Sequence, residues 1–160
     1  MLGIAGSPAP ELRVRHWLAN AGAGLTIAAI EEPVIYLFGF QSWCPGCHSH
    51  GFPTLRATKE ALERDGLSGM VKFIAVQTVF EGHDENNTKA ALNTVALHRL
   101  TDIALGHDAG NPPALMADYR TGGTPWTVII GPRPERHVLF NAFSTSPEDM
   151  LRAIRHVLRV

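Results

Sequence analysis

Phe40-Gln41-Ser42-Trp43-Cys44-Pro45-Gly46-Cys47 follows directly on the apolar run Val34-Ile35-Tyr36-Leu37-Phe38 and contains both cysteines of the chain. The run reads as a strand buried on both faces, and from Pro45 the pattern turns helical. The cysteine pair therefore falls at a strand-to-helix junction, a spacing and setting that point to redox chemistry, with Cys44 as the helix cap. Unpaired backbone N–H groups and the positive end of the helix dipole collect at a cap and favour negative charge on its sulfur. The reactive thiolate form is accordingly expected at Cys44. Cys47 would lie one turn further on, placed to attack a mixed disulfide formed on Cys44. Pro45 takes the first helical position, where its fixed φ suits the helix and its missing N–H has no partner to lose.

At 160 residues and 45% hydrophobic content, the chain is long and apolar enough to bury one sizeable core, so a single domain over 1–160 is expected. The formal charge of −1 and the lack of a basic cluster give no electrostatic ground for a nucleic-acid or anionic-membrane partner. Both cysteines belong to the motif and none is left for structural bridges, unlike small disulfide-stapled secreted domains. Met1 to Pro10 lacks a basic start and a continuous apolar stretch, and no later segment has the length and apolarity of a membrane span. A cytoplasmic location is the resulting expectation.

Along the chain, Leu12 to Trp17 and Leu25 to Ile30 read as two short strands around the turn Asn20-Ala21-Gly22-Ala23-Gly24, an N-terminal hairpin. The helix that starts at the motif should run to Asp65-Gly66 with Phe52, Leu55 and Leu62 on one side, kinked by Pro53. Val71 to Gln77 reads as a strand, followed by a helix carrying Leu92, Val95, Ala96 and Leu100, and by a short strand at Ile103 to Leu105. Pro112-Pro113 should open a short helix ending near Tyr119. Trp126 to Ile130 and His137 to Phe143 read as strands. Ser146-Pro147-Glu148-Asp149 should cap a last helix with Met150, Leu151, Ile154, Val157 and Leu158 on its apolar face.

This order, with Trp-Cys-x-x-Cys after a buried strand and Gly122-Gly123-Thr124-Pro125 before another, resembles the thioredoxin superfamily over nearly the whole chain. The hairpin, the segment Ala9-Pro10-Glu11-Leu12 and the inserted helix and strand around 85–105 are most similar to its redoxin branch, the thiol-disulfide reductases of the cytochrome-maturation type and their peroxiredoxin relatives. The resemblance implies an α/β fold, a mixed central sheet flanked by helices, with an N-terminal β-hairpin and a helix-strand insertion. It implies a thiol-disulfide oxidoreductase with Cys44 as nucleophile and Cys47 as resolving thiol, no cofactor and no metal, and protein or small-molecule disulfides and thiols as partners. By the same resemblance the Thr124–Pro125 bond is cis and faces the cysteines, and Trp43, Pro45, Gly123, Thr124 and Pro125 contact the substrate. The chain departs from the family pattern in several places. Phe38 stands six residues before Cys44, where many relatives carry a polar or acidic group. His48-Ser49-His50 replaces a glutamate after the second cysteine, the helix proline comes one residue later than usual, and the spacer is Pro-Gly rather than Gly-Pro. Proton relay must then come from elsewhere, and His48 and His50 are the candidates for it.

Two other readings of the same residues compete. A peroxidase would reduce peroxides through a sulfenic acid on Cys44, an antioxidant activity. The hydroxyl that relatives of that kind carry three residues before the cysteine is Gln41 here. A copper-handling protein of the same fold would use Cys44, Cys47 and His107 or His137, although such relatives space their cysteines by three. A zinc site would need four ligands and there is no second cysteine pair. His83-Asp84-Glu85, His107-Asp108 and His137 read as loop positions rather than metal ligands, and Trp126 as a core residue with a substrate-facing wall as its alternative.

Overall fold

The computed structural model describes residues 3–160. Its sheet is built from β1 (His16–Ala19), β2 (Val34–Phe40), β3 (Val71–Thr78), β4 (Ala104–Asp108), β5 (Trp126–Ile130) and β6 (Val138–Phe143). The spatial order is β1-β4-β3-β2-β5-β6, with β2, β3 and β4 parallel and the remaining pairings antiparallel. β2 is the apolar run of the motif, and all of its residues are buried because the sheet is covered on both sides. Its side chains alternate: Val34, Tyr36, Phe38 and Phe40 enter one core, while Ile35 and Leu37 enter the other.

The first core is closed by α1 (Phe52–Arg64), α2 (Thr88–Leu97) and α4 (Pro147–Leu158), which contribute Phe52, Leu55, Leu62, Ala91, Val95, Met150 and Ile154. The second is closed by α3 (Ala114–Tyr119) and by the N-terminal segment, through Leu115, Tyr119, Ile27 and Ile30. α4 begins where Ser146 and Pro147 predict. Ser146 accepts the Asp149 N–H at 3.2 Å, and Glu148 and Asp149 complement the helix dipole in the first turn. No helix among the described residues is long and apolar enough to cross a membrane.

The expected N-terminal hairpin does not form. β1 pairs with β4, not with residues 25–30. Asn20 turns left-handed (φ 55) at the end of β1, and its amide donates to the carbonyls of Thr101 and Ile103 at 2.8 Å, which commits this strand to the β4 side. Residues 25–30 coil instead into a turn. The Glu11 carboxylate accepts the Ile27 and Ala28 N–H groups, and the Thr26 carbonyl accepts those of Ala29 and Ile30. Local side-chain acceptors here outcompete a strand ladder.

Two further expectations shift. α2 starts at Thr88, capped by Asn87, and that phase buries Ala91, Thr94 and Val95 while leaving Leu92 and Ala96 outside. Leu100 is buried beyond the helix end. The strand expected at 103–105 extends to Asp108, so His107 and Asp108 are buried strand residues rather than loop positions. The Asp108 carboxylate accepts the N–H groups of Gly110 and Ala114 and so starts α3.

Edge protection and one buried cation complete the frame. The Ser7 carbonyl accepts the Val138 N–H and the Gly6 N–H donates to the Val138 carbonyl, each at 2.8 Å, so the N-terminal segment covers the start of edge strand β6. Arg136, 3% exposed, donates to the carbonyls of Ile30, Glu32 and Gly131, tying the chain before β2 to the turn before β6. Arg136→Met keeps most of the aliphatic stem and strips those donors, leaving buried carbonyls unpaired. Its unfolding free energy should fall by about 2–4 kcal/mol. Urea denaturation would measure this, and an unchanged midpoint would show that the guanidinium adds nothing to the fold.

Candidate active site

Backbone geometry makes Cys44 a helix cap. Gln41 to Cys44 forms a turn, with Cys44 N–H on the Gln41 carbonyl at 3.1 Å, and helical backbone begins at Pro45. The Cys44 carbonyl then accepts the N–H of Cys47 and of His48 at 3.2 and 3.3 Å. The Cys47 N–H also reaches the Cys44 sulfur at 3.2 Å, the bond that an Asp or Ser would accept at an ordinary cap. A negative sulfur there is met by a backbone donor that is already in place.

The two sulfurs are free thiols in unlike surroundings. Cys44 is partly exposed and its Sγ lies 3.7 Å from the Thr124 carbonyl, to which its S–H donates. Cys47 is fully buried in the core beneath it. Burial, and then hydrogen bonding to Cys44, push the Cys47 thiol well above its ordinary range, against smaller opposing effects from the Gln41 backbone and the Thr124 side chain.

The helix does not run on regularly from Cys47. Cys47–Gly51 is a π turn, and α1 follows at Phe52. Pro53 lacks an N–H and crowds the turn before it, and the widened turn is how the chain accommodates both effects. Gly51 sits inside that turn against the Thr124–Pro125 loop, whose peptide bond is cis. A Cβ added at Gly51 would stand 2.5 Å from the Pro125 Cβ and 2.7 Å from the Phe38 Cζ. Phe38, in the place where relatives keep a polar group, thus packs at the helix–proline contact, edge-on to Phe52 with ring centroids 4.9 Å apart.

Polar contacts hold the turn before Cys44. The Gln77 carbonyl oxygen accepts both the Ser42 N–H (2.7 Å) and the Ser42 hydroxyl (2.6 Å), while its amide donates to the Asn87 carbonyl and to His107 Nδ1. Asn86 accepts the Trp43 N–H at 3.0 Å, and the buried Gln41 side chain accepts the N–H groups of Phe80 and Glu81. His48 adds a further clamp. The Ser42 carbonyl can only accept, so His48 Nε2 carries a proton at 2.6 Å, and its Nδ1 shares a hydrogen bond with His98 Nε2 at 2.8 Å. Burial, then His48 and Arg56, hold His98 below the usual imidazole range, and it stacks on Phe52 at 4.5 Å.

Of the residues expected at the site, Cys44, Cys47, Trp43, Pro45, Gly123, Thr124 and Pro125 come together around one groove or directly beneath it. His48 and His50 flank it, but their rings are engaged by the carbonyls of Ser42 and Ser144 rather than by sulfur. Trp126 is a core residue, its indole N–H donated to Asn141. His83 and His137 lie apart on the surface, and among the described residues no three His, Cys, Asp or Glu side chains converge as a metal site would require. Gly51, Gln77, Asn86 and His98 went unread in the sequence. The signal available for Gly51 was a glycine two residues before the helix proline.

Gly51→Ala forces the helix and the proline loop apart. Overpacking of this kind costs about 1–3 kcal/mol, and because the displaced loop carries Thr124, thiol reactivity at Cys44 should fall along with stability. Thermal denaturation and reaction with a chromogenic disulfide measure the two. Native stability together with native reactivity would show that the contact is slack.

No family model and no curated protein matches the sequence. Solved structures do. A thioredoxin-like superfamily protein superposes with a TM-score of 0.78 and 28% identity over 96% of this chain and 97% of its own. A thiol-disulfide isomerase from Corynebacterium glutamicum gives 0.76 and 25% over 97% and 98%. The thioredoxin domain of a thiol-disulfide oxidoreductase from Bacteroides vulgatus shares the fold at 0.67 and 13% over 96% of each chain. The chain is a thioredoxin-superfamily protein of the thiol-disulfide oxidoreductase kind.

Proposed function

We propose that Cys44 is the nucleophile and Cys47 the resolving thiol of a disulfide-exchange cycle. The unequal exposure of the two sulfurs carries this reading: one is reachable from a groove and held by backbone groups, while the other is sealed behind it. A Cys44 thiolate attacks one sulfur of a substrate disulfide, forming a mixed disulfide and releasing the other substrate sulfur as a thiolate. Cys47 then gives up its proton and attacks the Cys44 sulfur. The second substrate thiolate departs, leaving an intramolecular Cys44–Cys47 disulfide. Two electrons pass from the cysteine pair to the substrate, and the reverse sequence oxidises a dithiol.

The Cys47 N–H bonded to Cys44 Sγ stabilises the attacking thiolate and, in the reverse direction, the same sulfur when it departs from the mixed disulfide as the leaving group. Thr124 and Pro125 position the incoming chain, whose extended backbone can pair with the Thr124 carbonyl once the Cys44 proton has left it. The raised Cys47 pKa keeps the second thiol protonated until the mixed disulfide forms. Resolution is thereby made to follow attack. His48 and His50 serve the turn and the Ser144 carbonyl, so the proton of Cys47 leaves by another route.

Cys44→Ser should abolish exchange with a protein disulfide, and Cys47→Ala should stall at the mixed disulfide, recovered as a covalent adduct by non-reducing electrophoresis and mass spectrometry. Full turnover by Cys44→Ser would remove the mechanism.

The Cys47 thiol also gives the reduced protein a pH signature. A thiol whose folded pKa is raised keeps its proton in the native state at a pH where the unfolded chain has lost it. Its contribution is complete below the unfolded value of roughly 8.5 and is lost as pH rises toward the folded one. Reduced protein should lose stability from about pH 8 upward, and Cys47→Ala should lose less over the same interval. Parallel pH profiles for the two would show that Cys47 is not buried as described.

A further inference from the structure

His107 is a buried histidine of β4, 6% exposed, to which the exchange cycle gives no task. It pairs in register with Gln77 of β3 and turns its side chain to the same face as Leu105, toward the first core. Gln77, fully buried, stands between its ring and Ser42.

The neighbours decide where this ring carries its proton. Ser42 N–H donates to the Gln77 side chain at 2.7 Å, so the atom that receives it is the amide oxygen, and the Asn87 carbonyl can only accept, so the atom facing it at 3.0 Å is the amide nitrogen. Gln77 cannot turn over without losing both bonds. Its Nε2 therefore also aims a donor at His107 Nδ1, 3.2 Å away, and that nitrogen must offer a lone pair. In the closed network His107 is neutral, with its proton on Nε2.

A proton added at Nδ1 would set one N–H against another inside a buried network, and only a shift of Gln77 relieves it. The amide oxygen then leaves the Ser42 N–H and hydroxyl, and the turn from Gln41 to Cys44 loses its tie to β3. No nearby charge compensates. His16 of β1 lies opposite, with ring centroids 6.5 Å apart, and adds repulsion once both rings are charged. Asp108 alternates to the other face of the sheet, where the Gly110 and Ala114 N–H groups hold it and Arg15 approaches to 3.6 Å. α2 turns Ala91, Thr94 and Val95 toward the sheet, none of them titratable. Burial, and then His16, hold His107 below the usual imidazole range against an opposing pull from Asp108. A ring released from Gln77 regains an ordinary value of roughly 6.5. The tie is complete above that value and is lost as pH falls below it toward the lower folded one.

From this we propose that neutral His107 is a positioning residue of the site: through Gln77 it holds the turn that presents Cys44, and protonation of its ring releases that turn. The consequence for turnover rests on the exchange cycle proposed above.

Alkylation of reduced protein by iodoacetamide, a neutral reagent, reads the reactivity of Cys44 without requiring exchange. Rates would be compared between pH 5 and 8 for the wild type, His107→Asn, whose side-chain oxygen replaces the Nδ1 acceptor but does not titrate, and His107→Leu, which has no acceptor. At pH 8 the wild type should react like His107→Asn and faster than His107→Leu. By pH 5 it should fall behind His107→Asn by about threefold or more and approach His107→Leu, as an imidazole that charges in this interval requires. Nitrogen-15 spectra of the wild type alone should show a bare Nδ1 on His107 at pH 8, with the Ser42 and Trp43 amide signals titrating together with that ring. In His107→Asn this step should be gone, leaving only what the His48–His98 pair transmits to the Ser42 carbonyl. A protonated Nδ1 at pH 8, amide signals that do not follow the ring, or identical rate profiles for the wild type and His107→Asn overturns the inference while exchange stands. The expected profiles in a protein that fails to exchange disulfides would overturn the exchange cycle alone.

Discussion

Contact between the π turn and the proline loop is the constraint on which the site depends. Gly51 has no side chain, and into that space come Pro125 from one direction and the Phe38 ring from the other. The helix that carries the cysteines is thereby seated against the loop that carries Thr124, and the distance from Cys44 Sγ to the Thr124 carbonyl follows from this seating. Phe52, one residue on, packs edge-on against both Phe38 and Phe40, so the contact rests on the centre of the first core rather than on the surface.

Around this contact, groups from β3, β4 and α2 hold the motif turn. Gln77 and Thr94 reach Ser42, and Gln77 is itself held by Asn87 and His107. Buried polar networks of this sort are costly when incomplete and rigid when satisfied. Three of the bonds, from Gln77, Asn86 and His48, end on backbone atoms of the turn, which lets the chain fix the Cys44 sulfur without placing a charged side chain next to it. Burial then distinguishes the two thiols, since only the outer one shares solvent with the groove.

The fold was legible where patterns are local. The buried β2, the cap and proline before α4, and the strand after Thr124-Pro125 each follow from a handful of neighbouring residues, and all appear where expected. The hairpin failed because its fate lay with distant partners: Asn20 bonds to residues 101 and 103, and Glu11 takes the amides of residues 27 and 28. Period alone read Val95 and Leu100 as they fall but put Leu92 and Ala96 beside them, where the phase set from the Asn87 cap buries Ala91 and Thr94 instead. At the site the cysteines and the proline were readable from motif and resemblance. Gln77, His98 and Phe80 were not, because each acts across the sheet or from a loop whose position no spacing reveals. His48 was noticed for its closeness to the motif, yet its partners, Ser42 and a histidine fifty residues away, give it a different task.

The burial of Cys47 behind Cys44 also arranges how chemical injury reaches the protein. Peroxides, alkylating agents and soft metal ions approaching from solvent meet the outer sulfur first. A sulfenic acid formed there has a thiol immediately behind it with which it can condense, expelling water and leaving an ordinary disulfide before harsher oxidation sets in. On the exchange cycle proposed above, the inner sulfur, screened by its neighbour, would guard the outer one, and the lesion most easily inflicted would also be the one most readily reversed.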